Sequence, residues 1–402
     1  IRQHNLDSRR PTMRHGNRLR TYWPNFRRDT LEIALSAGTD PASISLSGSV
    51  KGSALLQRAV RSGVKITADS AAELRDIATI AEELGRVTDV RLRVRPRLTT
   101  ALSSDISHFP ITATLDVYKP GIPWEDTVSA GSFAIEHPHL RLTGMAAHIG
   151  RQSAELSVWS DYAAQFAEMV VALRDAWDGW LPESLDIGGG LPISPDPFGQ
   201  MMTSSADDPL PDRPPVEDYA QVICGSLRRV LSARGIETEP IKLEVEPGRS
   251  LYADCGAHIT RVLNIKRRTE TPDRTWVEVD TSVFFLPDTE LENNRWPIHV
   301  ADSESGEKEV VDVVGRSCTG DLLAFQATLP VVKPGELIVF GLTGAYQDAG
   351  ASNFNALPRP ATVLVNGSEA EVIKRAETLD DLLGRDRLPE RFKPTVENGV
   401  NQ

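Results

Sequence analysis

The chain of 402 residues carries a net charge of −12, 40% hydrophobic residues and three cysteines. Its length exceeds one ordinary core and points to about two domains, while the excess of acid argues against a nucleic-acid partner, because phosphate backbones are bound by surplus Lys and Arg. Cys224, Cys255 and Cys318 are odd in number and lack metal-ligand spacing, and no apolar run approaches the ~20 residues of a membrane span, so a disulfide framework, a metal site and a membrane partner are all unexpected. The expected compartment is the cytoplasm.

Residues 1–21 are polar and arginine-rich (Arg9, Arg10, Arg14, Arg18, Arg20) and read as a solvated N-terminal arm. From Tyr22 onward, helical segments at 28–37, 53–62, 71–84 and 161–177 alternate with short β-rich runs at 44–46, 90–94, 140–148, 185–187 and 241–245. Such alternation means βαβ units and a parallel sheet, most economically a (β/α)8 TIM-like barrel over residues 22–255 with its site at the strand C-termini. A Pro/Asp/Ser-rich insert, 193–215, reads as a long loop over the barrel mouth. Beyond it, β-type runs at 275–279, 310–314, 336–340 and 361–365 predict a mostly antiparallel β domain over 256–402, closed by a short helix at 377–383 and a frayed tail beyond Pro394.

Two stretches carry chemistry. Leu185-Asp186-Ile187 runs into Gly188, Gly189 and Gly190, and residues without Cβ let a backbone turn sharply enough to aim N–H groups at an oxyanion. Glu246-Pro247-Gly248-Arg249 follows the last apolar-alternating run and offers a carboxylate, a glycine and a guanidinium fork suited to bidentate phosphate binding.

With His148-Ile149-Gly150, Cys318 to Asp321, and Gly344-Ala345-Tyr346 followed by Ser352-Asn353-Phe354-Asn355, these blocks stand in an order that resembles the pyridoxal-phosphate decarboxylases of the ornithine/diaminopimelate/arginine type, which have an alanine-racemase-like fold. The resemblance covers most of the chain. It implies a pyridoxal 5'-phosphate cofactor, an amino-acid-type substrate and a homodimer with shared active sites. It also implies that Gly188, Gly189, Gly190, Gly248, Arg249 and Tyr346 hold the phosphate. Glu246 would face the pyridine nitrogen, His148 would stack on the ring, and Cys318 and Asp321 would reach the partner subunit's site. The Cys-to-Asp spacing is one residue shorter than the family's.

Three departures from the family pattern stand out. Counted without gaps from Ala54-Leu55-Leu56 and from 70–74, the column of the family's Schiff-base lysine falls on Gly48; a three-residue deletion would place Lys51 there instead. Thr67 replaces a usual aspartate, and Arg151 replaces a small residue after the His-Ile-Gly block and adds a fixed charge near the cofactor. Two readings follow. One is a pyridoxal-phosphate-dependent decarboxylase with Lys51 as an unconventional anchor or with the cofactor held noncovalently. The other is a cofactor-independent enzyme or a binding or regulatory homologue. Asp321 would suit a substrate's distal ammonium, and Arg151 a carboxylate or phosphate.

Overall fold

The computed structural model describes residues 28–95, 119–150, 154–197, 202–301 and 306–392. The N-terminal arm, Arg151 and the tail beyond Pro394 lie outside them. The described residues form two compact units. One takes in 155–190 and 215–246 with everything described before Arg151; the other takes in 191–214 with everything described from Pro247 on.

The first unit alternates helices and parallel strands. In chain order come α1 (Arg28–Ser36), β1 (Ser45–Leu46), α2 (Ser53–Ser62), β2 (Lys65–Ala68), α3 (Ala71–Glu83), β3 (Thr88–Arg93), α4 (Trp124–Glu136), β4 (Leu140–Ala146), α5 (Leu156–Ala176), β5 (Ser184–Asp186), α6 (Val216–Ala233) and β6 (Lys242–Glu244). Each described strand pairs in parallel with its sequence neighbour, in the order β1 to β6. This is the βαβ succession of a TIM-like barrel.

Local sequence explains the elements. In α2 the apolar residues Leu55, Leu56, Ala59 and Val60 fall on one buried stripe, and Gly63 ends the helix at φ 74, a left-handed conformation that glycine adopts without strain. Ser70 caps α3 by accepting the Glu73 N–H at 3.1 Å. Buried Trp159, Tyr162 and Phe166 of α5 pack with Tyr219 of α6. The Tyr162 hydroxyl donates to the Ile187 carbonyl at 3.0 Å, which ties α5 to the strand end that leads into the glycines.

The second unit holds a six-stranded sheet. Its strands are β7 (His258–Arg268), β8 (Arg274–Val279), β9 (Ile298–Val300), β10 (Lys308–Val314), β11 (Leu322–Pro330) and β12 (Leu337–Phe340), in the order β11-β10-β8-β7-β12-β9. Every pairing is antiparallel except β8 with β10. The core is Val262, Val277, Val279, Trp296, Val313, Leu323, Ile338 and Phe340. The described part of the insert is built onto this unit: Ala206 N–H donates to the Phe325 carbonyl at 2.9 Å, and the buried Arg295 guanidinium donates to the carbonyls of Ser205 and Asp208. A separate hairpin, β13 (Thr362–Asn366) with β14 (Glu369–Lys374), precedes a helix at Leu379–Leu383.

Candidate active site

In the first unit the site grows from the C-terminal ends of β4, β5 and β6. The parallel ladder continues past the strands: Ile187 N–H donates to the Glu244 carbonyl at 3.1 Å and Glu246 N–H to the Gly188 carbonyl at 2.9 Å. This sets the glycine turn beside Glu246. Glycine is required there. Gly188 has φ +75, and a Cβ on it would lie 2.7 Å from the Ala147 carbonyl and 2.8 Å from the His148 ring; on Gly189 it would lie 2.4 Å from the Glu246 carbonyl. The Gly188 N–H is spent on Asp186 Oδ1 at 2.9 Å, so the N–H groups that donate to no group among the described residues are those of Gly189 and Gly190.

Glu246 accepts a hydrogen bond from the Ser47 hydroxyl at 3.3 Å. Burial, then the charge of Asp186, push its carboxyl up to about 7, against the more distant Arg93 and Arg91. His148 presents its ring to Gly188, and its Nδ1 accepts the Gly150 N–H at 3.0 Å. Burial and Arg93 bring this imidazole down to about 4, so it is neutral near pH 7. Beneath lies a charge cluster that sequence reasoning did not single out. Arg91, 0% exposed, pairs with Glu244 at 2.6 Å and Asp186 at 3.1 Å and donates to Ser45 Oγ. The signal was present as alternation: in 90–94, buried Val90, Leu92 and Val94 face away from Arg91 and Arg93, and arginines on alternate positions of a barrel strand point inward.

The candidate lysine is placed unambiguously. Gly48 sits at φ 134 in the turn after β1 and has no side chain to offer. Lys51, with its side chain 0% exposed, donates from Nζ to Glu73 Oε2 at 2.6 Å and to the Gly48 carbonyl at 2.7 Å. Glu73 Oε2 also accepts the Asp69 N–H at 2.9 Å. The Ser70-to-Glu73 spacing of a capping box is thus used half for the cap and half for a lysine.

In the second unit Gly248 leaves room for the Tyr346 hydroxyl, which lies 2.6 Å from where a Cβ would stand. Arg249 Nη2 donates to Asp288 Oδ2 at 2.6 Å, its guanidinium lies 4.6 Å from the Tyr346 ring centre, and Gln347 Nε2 donates to the same Asp288 oxygen at 2.8 Å. The fork expected to grip a phosphate is therefore committed on one side to a carboxylate. Asp321 departs further from expectation. Its carboxylate is buried and accepts from Ser282 Oγ (3.0 Å), Val283 N–H (2.7 Å) and Ser317 N–H (2.7 Å), so it holds its own loop together instead of reaching outward. Cys318 remains exposed, with Sγ 3.6 Å from Asn355 Oδ1.

Pyridoxal phosphate asks for an anion cradle, a carboxylate for its ring nitrogen and an amine for its aldehyde. The Gly189 and Gly190 N–H groups suit the first, and the proton-seeking Glu246 suits the second. The third demand meets a lysine already spent.

Residues 28–253 match the model of the pyridoxal-dependent decarboxylase pyridoxal-binding domain. The chain is 32% identical over 358 residues to the diaminopimelate decarboxylase of Neisseria meningitidis serogroup A, covering 89% of this chain and 80% of that one. It is 30% identical over 362 residues to that of Archaeoglobus fulgidus, covering 90% and 80%. A crystal structure of the diaminopimelate decarboxylase from m. jannaschii superposes with a TM-score of 0.80 at 26% identity, covering 93% of this chain and 81% of the other. The chain belongs to the pyridoxal-dependent decarboxylases. Its cofactor class is therefore pyridoxal phosphate and its reaction class amino-acid decarboxylation, as the resemblance implied, with a TIM-like barrel and a mostly antiparallel β domain. No described helix is long and apolar enough to cross a membrane.

Proposed function

We propose that this chain removes a carboxylate from an amino acid that carries a second charged end, of the diaminopimelate type. The substrate class rests on the relatives, which are diaminopimelate decarboxylases. The observation that carries the use of the cofactor is Glu246, a partly buried carboxylate whose desolvation raises its pKa, at the end of a barrel strand. Bound pyridoxal phosphate supplies an electron sink for the carbanion left when CO2 departs.

The chain's own residues do the rest. Glu246 would share the proton of the ring nitrogen of a bound cofactor and keep that sink charged, and neutral His148 would offer a flat face without competing for a proton. Gly189 and Gly190 would offer their N–H groups to the phosphate, and Gly188 keeps the turn; within the second unit, Gly248, Arg249 and Tyr346 form a group of their own, suited by its guanidinium and hydroxyl to an anion. Cys318, exposed on its loop, is the candidate for contact with a partner subunit in a homodimer, a cytoplasmic enzyme in this reading. Arg151 is the candidate for the substrate's far carboxylate.

The test is release of CO2 from diaminopimelate, with ornithine, arginine and lysine alongside, by protein supplied with pyridoxal phosphate. Lysine appearing as product supports the reading. Cofactor bound tightly with no CO2 from any of the four would overturn it in favour of a binding homologue, and sedimentation of the active protein as a monomer would end the homodimer.

A further inference from the structure

We propose that Lys51 is a structural clasp and not a cofactor anchor, so that this chain holds pyridoxal phosphate without a covalent bond to the protein. The inference rests on the cofactor reading above.

Lys51 immediately precedes Gly52, whose carbonyl accepts the N–H groups of Leu55 and Leu56 at the start of α2, so its backbone is fixed by the helix. Its ammonium is then committed in two directions: back to the Gly48 carbonyl, closing the turn after β1, and across to Glu73 in the first turn of α3. Because Glu73 Oε2 also takes the Asp69 N–H, one carboxylate joins the β1–α2 turn, the end of β2 and the start of α3. Both partners are withdrawn from water, with side chains 0% and 9% exposed. To attack an aldehyde, the amine would have to lose its proton and leave Glu73, stranding a buried carboxylate, which is the costly way to break such a pair.

No other lysine described in this unit replaces it. Lys65 and Lys242 open β2 and β6, and both are paired with Glu244, at 3.6 and 3.2 Å; Lys119 is exposed ahead of α4. Gly48 contributes conformation only: φ 134 is glycine's region, and a lysine there would be strained. The residue at the lysine's column has become the hinge of a turn, and the neighbouring lysine has become its clasp. The cofactor's aldehyde is left for the amine of an incoming substrate.

Two measurements decide this. The full-length protein is incubated with one equivalent of pyridoxal phosphate, reduced with borohydride, digested and mapped by mass spectrometry. We expect no pyridoxyl group on Lys51, and cofactor that leaves on gel filtration before reduction. A pyridoxylated Lys51 peptide in near-stoichiometric yield overturns the proposal. Thermal unfolding without cofactor gives the second answer. Lys51→Met should lower the midpoint by roughly 6 °C or more, and adding Glu73→Gln should recover part of that loss by removing the stranded charge. An unchanged midpoint for Lys51→Met overturns the clasp. Failure to bind pyridoxal phosphate at all would defeat the proposed function, while the unfolding comparison would still decide the role of Lys51.

Discussion

Glu246→Gln should make the cofactor-free protein more stable and the enzyme worse. The folded carboxyl titrates at about 7 against an ordinary 4.5, because burial and Asp186 disfavour its charge. At roughly 1.4 kcal/mol per pH unit, that difference corresponds to about 3 kcal/mol. The sign follows from the raised folded value. The protonated carboxyl contributes its full stability below 4.5, and the contribution is lost as pH rises until it is gone above about 7. Glutamine has the same shape and never ionises, so it escapes this loss. Urea unfolding of cofactor-free wild type and variant at pH 4.5 and pH 8 should therefore show a stability gap that widens in favour of Glu246→Gln by up to about 3 kcal/mol. With pyridoxal phosphate bound the preference reverses, because the variant cannot share the ring proton; removing such an electrostatic partner costs on the order of 3 kcal/mol in the transition state, about a hundredfold in turnover. A gap that does not change with pH would refute the assigned burial of Glu246, and wild-type turnover in the variant would refute its partnership with the ring nitrogen.

Asp321→Ala removes the acceptor of three donors, the buried Ser282 Oγ and Val283 N–H and the part-buried Ser317 N–H, and should cost about 3 kcal/mol in urea unfolding; a loss of activity with stability unchanged would instead restore Asp321 to a catalytic role. Gly189→Ala pushes a methyl to 2.4 Å from the Glu246 carbonyl, and a backbone ladder cannot yield cheaply, so a loss of about 1–3 kcal/mol in thermal unfolding with weakened binding of pyridoxal phosphate by fluorescence titration is expected. Full stability and affinity in that variant would mean the glycine turn is not the cradle.

The strands that were expected lie within about two residues of those observed, because short β-branched runs between Gly, Pro and Asp leave little choice of boundary, but β2, β7, β9 and β14 were not anticipated. The helices were less so. α4 escaped because its buried face is Thr127, Ala130, Gly131 and Ala134, a stripe too small to raise apolar periodicity; Gly131 lies under the Trp177 ring, which a Cβ would meet at 1.9 Å, so the partner supplies the bulk. α6 buries Tyr219, Ile223, Leu227, Val230 and Leu231 at helical spacing, a pattern obscured by the proline-rich run before it. In the site, residue types were readable and directions were not. Nothing in Thr-Gly-Asp says whether a carboxylate turns outward or back onto its own loop, and the answer at Asp321 depends on Ser282 and Val283, some forty residues earlier.

The charges inside the barrel explain why the rim, and not the interior, is the place for a cationic ring. Glu244 and Glu246 share one face of one strand end, two residues apart. Desolvation works against Glu244, yet Arg91 at 2.6 Å, Lys242 at 3.2 Å and Lys65 at 3.6 Å hold it below the usual carboxylate range. Asp186 shares Arg91 and the Gly188 N–H, and burial still leaves it raised. Glu246 has the Ser47 hydroxyl at 3.3 Å, with Arg91 and Arg93 acting only at a distance. Neutralisation thus falls off toward the rim, and positive charge is worth most at its end. A ligand can exploit this only through a proton on the ring nitrogen. A pyridoxal phosphate analogue with carbon in place of that nitrogen should therefore bind wild type about as weakly as Glu246→Gln binds the natural cofactor, and should lose little more when the two changes are combined. Equal and additive losses would mean that Glu246 and the ring nitrogen do not meet, and that the raised carboxyl serves some other proton.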